Sequence, residues 1–171
     1  MNLDALHRSL GIPAEYARTR RLRPQLEADE NDLIVIATTE PGKKIQLIAS
    51  AASAWHRMRA IAEKDGVVLV PISGFRSIAR QTEIIRAKLA AGAPIEAILS
   101  TIAAPGFSEH HTGRAIDVST PGEPALEESF ARTLAFAWLD RRAREFGFYL
   151  SYGRNNPHGI GFEPWHWCWR P

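Results

Sequence analysis

The chain has 171 residues, 45% hydrophobic and 23% charged, ordinary globular values that suggest neither disorder nor a coiled coil and fit a single domain, residues 1–171, around one core. Its 21 Lys and Arg against 19 Asp and Glu leave a formal charge of +2, which calls for no nucleic-acid partner; the locally basic stretch from Arg18 to Arg23 reads as a solvated turn. One cysteine, Cys168, excludes an intramolecular disulfide framework, and no run approaches the roughly 18 apolar residues of a membrane span.

The first ten residues are interrupted by polar and charged side chains, so the expectation is that they are not an export signal. The expectation is a cytoplasmic protein with no membrane partner, although a phage lysin released through a separate holin would start the same way. No protein partner is inferred.

In chain order, Leu3, Leu6 and Leu10 have helical spacing, and Gly11-Ile12-Pro13 ends that short helix. Acidic residues 27–32 read as a surface loop, and the β-branched run Leu33 to Ala37 as a strand. After the Pro41-Gly42 break, Ile45, Ile48, Ala52, Trp55, Met58 and Ile61 recur every three to four residues. That predicts one long core helix over 43–64. A strand over 67–72 feeds Ser73-Gly74-Phe75-Arg76-Ser77. Helices follow over 78–91 and, briefly, 94–102. Ala115 to Val118 reads as a strand, 126–146 as helix in one or two pieces, 148–152 as a strand, and 162–169 as the last strand region. Helices beside a small, mainly antiparallel sheet give the class α+β.

Two stretches carry the chemistry. Ser108-Glu109-His110-His111-Thr112-Gly113-Arg114-Ala115-Ile116-Asp117 places a histidine seven residues before an aspartate, and Glu163-Pro164-Trp165-His166 places a glutamate three residues before another histidine. A catalytic zinc takes three imidazole or carboxylate ligands and keeps a fourth position for water or substrate. His110, Asp117 and His166 fill the three places, and Glu163 is left as a base. His111 replaces His110 if the register slips by one, but adjacent strand residues face opposite ways. The same alternation puts His166 and Cys168 on one face of the last strand and Trp165, Trp167 and Trp169 on the other. A small buried thiol, not a ligand, is the expectation for Cys168.

The string Ser-x-His-x-x-Gly-x-Ala-x-Asp over 108–117, with Glu163-x-Trp165-His166, resembles the VanY-type D-alanyl-D-alanine carboxypeptidases. These are LAS metallopeptidases that share the Hedgehog/DD-peptidase fold. Ser73 to Ser77, with Gln81 beyond, is similar to a further segment of that family. The likeness spans roughly Val67 to Trp169, and residues 1–40 form an N-terminal extension without a recognisable motif.

The resemblance implies Zn2+ held by His110, Asp117 and His166. It also implies Glu163 as the base that deprotonates water and Arg76 as the group that steadies charge on the substrate carbonyl. Ser108, Gln81 and Trp165 are the expected substrate contacts. The implied activity is removal of a C-terminal D-alanine from peptidoglycan stem peptides or muropeptides, at a D-Ala-D-Ala or L,D-type bond. Two alternatives are an endolysin-like endopeptidase and a non-catalytic zinc-containing binding domain. Glu163 argues against the latter, since a purely structural metal site needs no base.

Overall fold

The computed structural model describes residues 2–40 and 42–171. Pro41 of the Pro41-Gly42 break lies outside the described residues. The chain opens with two short helices, α1 (Leu3–Ser9) and α2 (Tyr16–Thr19), and continues into a hairpin of β1 (Leu33–Glu40) and β2 (Lys43–Ile48). Then come α3 (Ala49–Lys64), β3 (Val70–Ser73), α4 (Ile78–Ala90), α5 (Ile95–Leu99), β4 (Ala115–Ser119), α6 (Leu134–Arg142), β5 (Phe148–Leu150) and β6 (His166–Trp169). The last four strands form an antiparallel sheet in the order β3-β4-β6-β5, and β1 and β2 pair separately. This is the α+β arrangement expected. No helix of the described residues is long and apolar enough to cross a membrane.

The helix predicted over 43–64 is corrected in its first third. Lys43–Ile48 is a strand, and helix begins only at Ala49. Ile45 and Leu47 are both buried while their neighbours are not, a period of two that pairing with β1 satisfies. The three-residue step from Ile45 to Ile48 imitated a helical repeat. The stretch 126–146 is also interrupted. A 3-10 turn over Glu128–Arg132 ends where the Thr133 side chain accepts a hydrogen bond from the Phe136 N–H and caps α6. The final strand is shorter than the region predicted, because residues 163–166 form a turn in which the His166 N–H donates to the Glu163 carbonyl.

The two larger apolar clusters hold most of these elements. The larger takes Trp55 and Met58 from α3, Ile116 and Val118 from β4, Trp138 and Leu139 from α6, and Trp167 from β6. Full burial of a side chain of this size is worth about 1.5–3 kcal/mol. The smaller joins Leu10, Ile12 and Tyr16 to Ile85, Ile98 and Leu99, so the N-terminal extension packs on α4 and α5. Since β4 sends Ile116 and Val118 into the large core, alternation sends Asp117 to the opposite face.

Candidate metal centre and active site

Strand register builds the centre. Asp117 on β4 lies directly opposite His166 on β6, and Ser73 at the end of β3 lies opposite Asp117. Cross-strand neighbours on one face stand within side-chain reach. The third member arrives on the 3-10 turn Glu109–Thr112, which closes at Gly113 in the left-handed region (φ 64°). A Cβ on Gly113 would lie 3.0 Å from an Ile48 methyl and 3.2 Å from the Ile48 nitrogen, so glycine answers both the conformation and the close approach.

The turn brings His110 Nε2 to 3.3 Å from one Asp117 oxygen, while His166 Nδ1 lies 3.1 Å from the other. His110, Asp117 and His166 are all buried, with donor atoms within 4.8 Å of one another.

The outer nitrogens fix which atoms face the centre. His110 Nδ1 donates to the Gly74 carbonyl at 2.7 Å, leaving its Nε2 lone pair for the cluster. His166 Nε2 lies 2.9 Å from a Glu109 oxygen, leaving Nδ1 for the cluster. Carboxylate or carbonyl partners of this kind set the tautomer and aim of a metal-binding imidazole. Two imidazole nitrogens and one carboxylate, converging with room for a fourth group, suit zinc by the chemistry of the donors.

His111 is taken out of contention. Its Nδ1 donates to the Arg76 carbonyl at 2.6 Å and its Nε2 accepts from the Gly106 N–H at 3.1 Å, so neither nitrogen is free. It binds the signature turn to the Arg76 segment.

Charges at the centre are strongly coupled. Burial alone would raise the Asp117 carboxyl, but the two histidines outweigh it and hold the group well below the usual range. Burial opposes a charge on His166, yet hydrogen bonds and attraction from Asp117 and Glu109 push it up to about 10 in the metal-free protein. A proton and a metal ion therefore compete for His166 Nδ1. His110 is lowered, by burial first.

Glu163 Oε2 stands 4.0 Å from His166 Nδ1. Among the described residues its carboxylate accepts no hydrogen bond. Burial pushes it up to about 7, helped by the Asp117 and Glu109 charges and opposed by His166 and Arg76. A carboxyl poised near neutrality beside a metal site suits a general base.

These side chains border a cleft of about 100 Å³ that also receives Arg76, Gln81, Ser108 and Trp165. Arg76 Nη1 donates to Gln81 Oε1 at 3.2 Å, and the buried Gln81 donates from Nε2 to the Ala103 carbonyl at 2.6 Å. Gln81 thus holds Arg76 as well as lining the cleft. The Ser108 hydroxyl has no protein partner among the described residues. Cys168 is buried and shares the His166 side of β6, as alternation predicts, but lines a separate cavity with Glu109 behind the histidine.

Two contributors were not singled out in the sequence. Glu109 sits inside the signature, but nothing local shows that it meets a histidine 57 residues away. Tyr152 places its ring 4.8 Å from that of His166 and lines the cleft. No sequence signal separates it from the other tyrosines.

The putative carboxypeptidase YodJ of Bacillus subtilis (strain 168) is 29% identical over 167 residues, covering 96% of this chain. The chain spans 58% of that curated relative's length. Among solved structures, the LdcB LD-carboxypeptidase superposes with a TM-score of 0.74 at 30% identity, over 86% of this chain and 74% of that one. A mutant of the vancomycin resistance D,D-pentapeptidase VanY in complex with Zn(II) superposes with a TM-score of 0.63 at 23% identity, over 88% of this chain and 87% of that one. The VanY family model, D-alanyl-D-alanine carboxypeptidase, matches residues 44–171, a span that takes in the metal cluster, Arg76 and Glu163, and the chain belongs to that family.

Proposed function

We propose that this chain is a zinc-dependent carboxypeptidase that removes the C-terminal D-alanine from peptidoglycan stem peptides. The observation that carries the reading is the pairing of a three-donor cluster with Glu163, whose carboxylate accepts no hydrogen bond among the described residues and lies beside the cluster. A metal held only for stability needs no such neighbour.

His110 Nε2, Asp117 and His166 Nδ1 would hold the ion. When bound, zinc lowers the pKa of water to about 7 and polarises a carbonyl. Glu163 takes the proton of the attacking water and returns it to the departing amine, whose leaving completes hydrolysis. Arg76, steadied by Gln81, offers its remaining guanidinium donors to the oxygen that gains charge or to the terminal carboxylate. The Ser108 hydroxyl and Trp165 border the same space and would contact the terminal residue. At about 100 Å³ the cleft is well below the ~300–1,000 Å³ of pockets that enclose a drug-sized ligand, so it suits the end of a chain.

The reading also draws on LdcB, an LD-carboxypeptidase whose structure bears on peptidoglycan recognition, and on the Zn(II) complex of VanY. Mass spectrometry of the zinc-loaded protein with a D-Ala-D-Ala-terminated pentapeptide and its tetrapeptide tests it, with Glu163→Ala as control. Loss of one alanine, absent in the variant, is expected, and the peptide that reacts identifies the bond. Internal cleavage would favour an endopeptidase. Intact peptides with metal bound would sink the hydrolytic reading for these substrates.

A further inference from the structure

A further cavity, of about 320 Å³, adjoins the metal cleft and shares Arg76, Asp117 and Leu126 with it. Its charge is one-sided. Lys43, Lys44 and Arg80 line it together with Arg76, and its one carboxylate among the described residues, Asp117, is committed to the two histidines at 3.1 and 3.3 Å. Arg80 is partly answered by Glu83 at 2.8 Å, outside the cavity's lining. Lys43 and Lys44 are exposed; across the hairpin Lys43 stands opposite Glu40 and Lys44 opposite Thr38. A cleft lined by one sign of charge concentrates the opposite sign.

The lysines are held there by the backbone. The β1–β2 hairpin is fastened to the Arg76 segment where the Phe75 N–H donates to the Gln46 carbonyl at 2.7 Å, and to the signature turn where the Ile48 N–H donates to the Gly113 carbonyl at 2.9 Å. A Cβ on Gly74 would meet the Gln46 oxygen at 2.4 Å, so the hairpin lies flush against the loop that holds His110. Leu126 marks the junction of the two spaces. It is a non-glycine residue in the left-handed region (φ 60°) and its side chain is 45% exposed. Such a conformation costs energy and is tolerated where surrounding structure imposes it.

We propose that this groove binds the acyl-side part of the substrate, upstream of the bond cut, and selects peptides that carry a free carboxylate there. The inference rests on the peptidase reading and extends it. The small cleft takes the terminal residue; the chain passes Leu126; Lys43 and Lys44 meet an acidic group on the residues that follow. Phe75 and Ile84 supply apolar wall for the carbon skeleton between.

Two synthetic stem-type peptides, identical except for carboxylate or carboxamide upstream of the cut, separate the possibilities. Each is titrated into zinc-loaded Glu163→Gln protein, and each is given to the unaltered enzyme for kcat/KM. The carboxylate form is expected to win by about five- to tenfold at low salt. That margin should shrink toward one at 1 M salt, where the Debye length falls to about 3 Å. Lys43→Gln/Lys44→Gln should bring the acid-to-amide ratio close to one. Equal binding of both peptides, or a ratio unmoved by the double variant, overturns the groove while leaving the peptidase reading intact. Preferential binding of the acid with no cleavage supports the groove and removes the hydrolytic reading instead.

Discussion

His166 is held from both ends of its ring: Nε2 lies 2.9 Å from Glu109 and Nδ1 lies 3.1 Å from Asp117. One carboxylate belongs to the candidate metal cluster and the other stands behind it. The Glu109 carboxyl would rise on burial, but His166 overrides this and holds it at about 2. Removing Glu109 leaves a buried imidazole N–H without its acceptor. Glu109→Ala is expected to weaken zinc binding about 10–100-fold, with Glu109→Gln less affected because its amide oxygen still accepts. Competition with a chromogenic chelator measures this, and circular dichroism confirms the fold. An unchanged zinc affinity in Glu109→Ala would show that the contact does not orient the ligand.

Glu163 should be separable from metal binding. Glu163→Gln keeps the shape of the side chain and removes the proposed base, so kcat is expected to fall about 10²–10⁴-fold. Zinc content by atomic emission should stay at one per chain. Loss of the metal along with activity would mean that Glu163 acts as a ligand.

The same residue predicts a pH effect on the stability of the metal-free protein. Its folded pKa, about 7, lies above its ordinary value of 4.5, so the folded chain holds a proton that the unfolded chain releases earlier. The stability from the protonated form is complete below pH 4.5 and is lost as pH rises through 7. Glu163→Gln removes that loss. Apo Glu163→Gln is expected to exceed the unaltered apo protein by about 1–3 kcal/mol at pH 8, with a smaller gap at pH 5. Urea unfolding at both pH values gives the comparison, and an identical gap would contradict the raised pKa.

The neighbouring histidines should fail differently. His110→Ala removes a donor from the cluster and should abolish stoichiometric zinc binding. His111→Ala breaks bonds to the Arg76 carbonyl and the Gly106 N–H. It should lower stability by about 2 kcal/mol while zinc still binds. Metal loss in the His111 variant alone would reverse the assignment.

Gly74→Ala offers a test of the hairpin seat. The new methyl would meet a backbone oxygen at 2.4 Å, which no rotamer change relieves. A destabilisation of about 1–3 kcal/mol is expected, together with weaker zinc binding, because the Gly74 carbonyl also anchors His110. A fully stable variant with normal affinity would mean that the hairpin does not bear on the site.

Much of the centre was legible before any coordinates. Cluster residues have chemistry that few other arrangements explain, and strand alternation around Asp117 and Trp167 needed only a period of two. The short apolar run Lys43–Ile48 fits both periods, and only its pairing with β1 chooses the strand. The choice between His110 and His111 is of the same kind: adjacent histidines differ in their partners, not their type.

The sequence by itself determined the α+β class, the family signature and the candidate cluster of His110, Asp117, His166 and Glu163. Those depend on residue identity and near-neighbour spacing. Only the tertiary structure decided that Glu109 backs His166, that Gln81 holds Arg76, and that Lys43 and Lys44 stand beside the cleft. Each of those contacts joins segments distant in the chain or turned by a local backbone choice. Hydrogen bonds and charge pairing act through space, and no periodicity in the chain records which distant groups will meet.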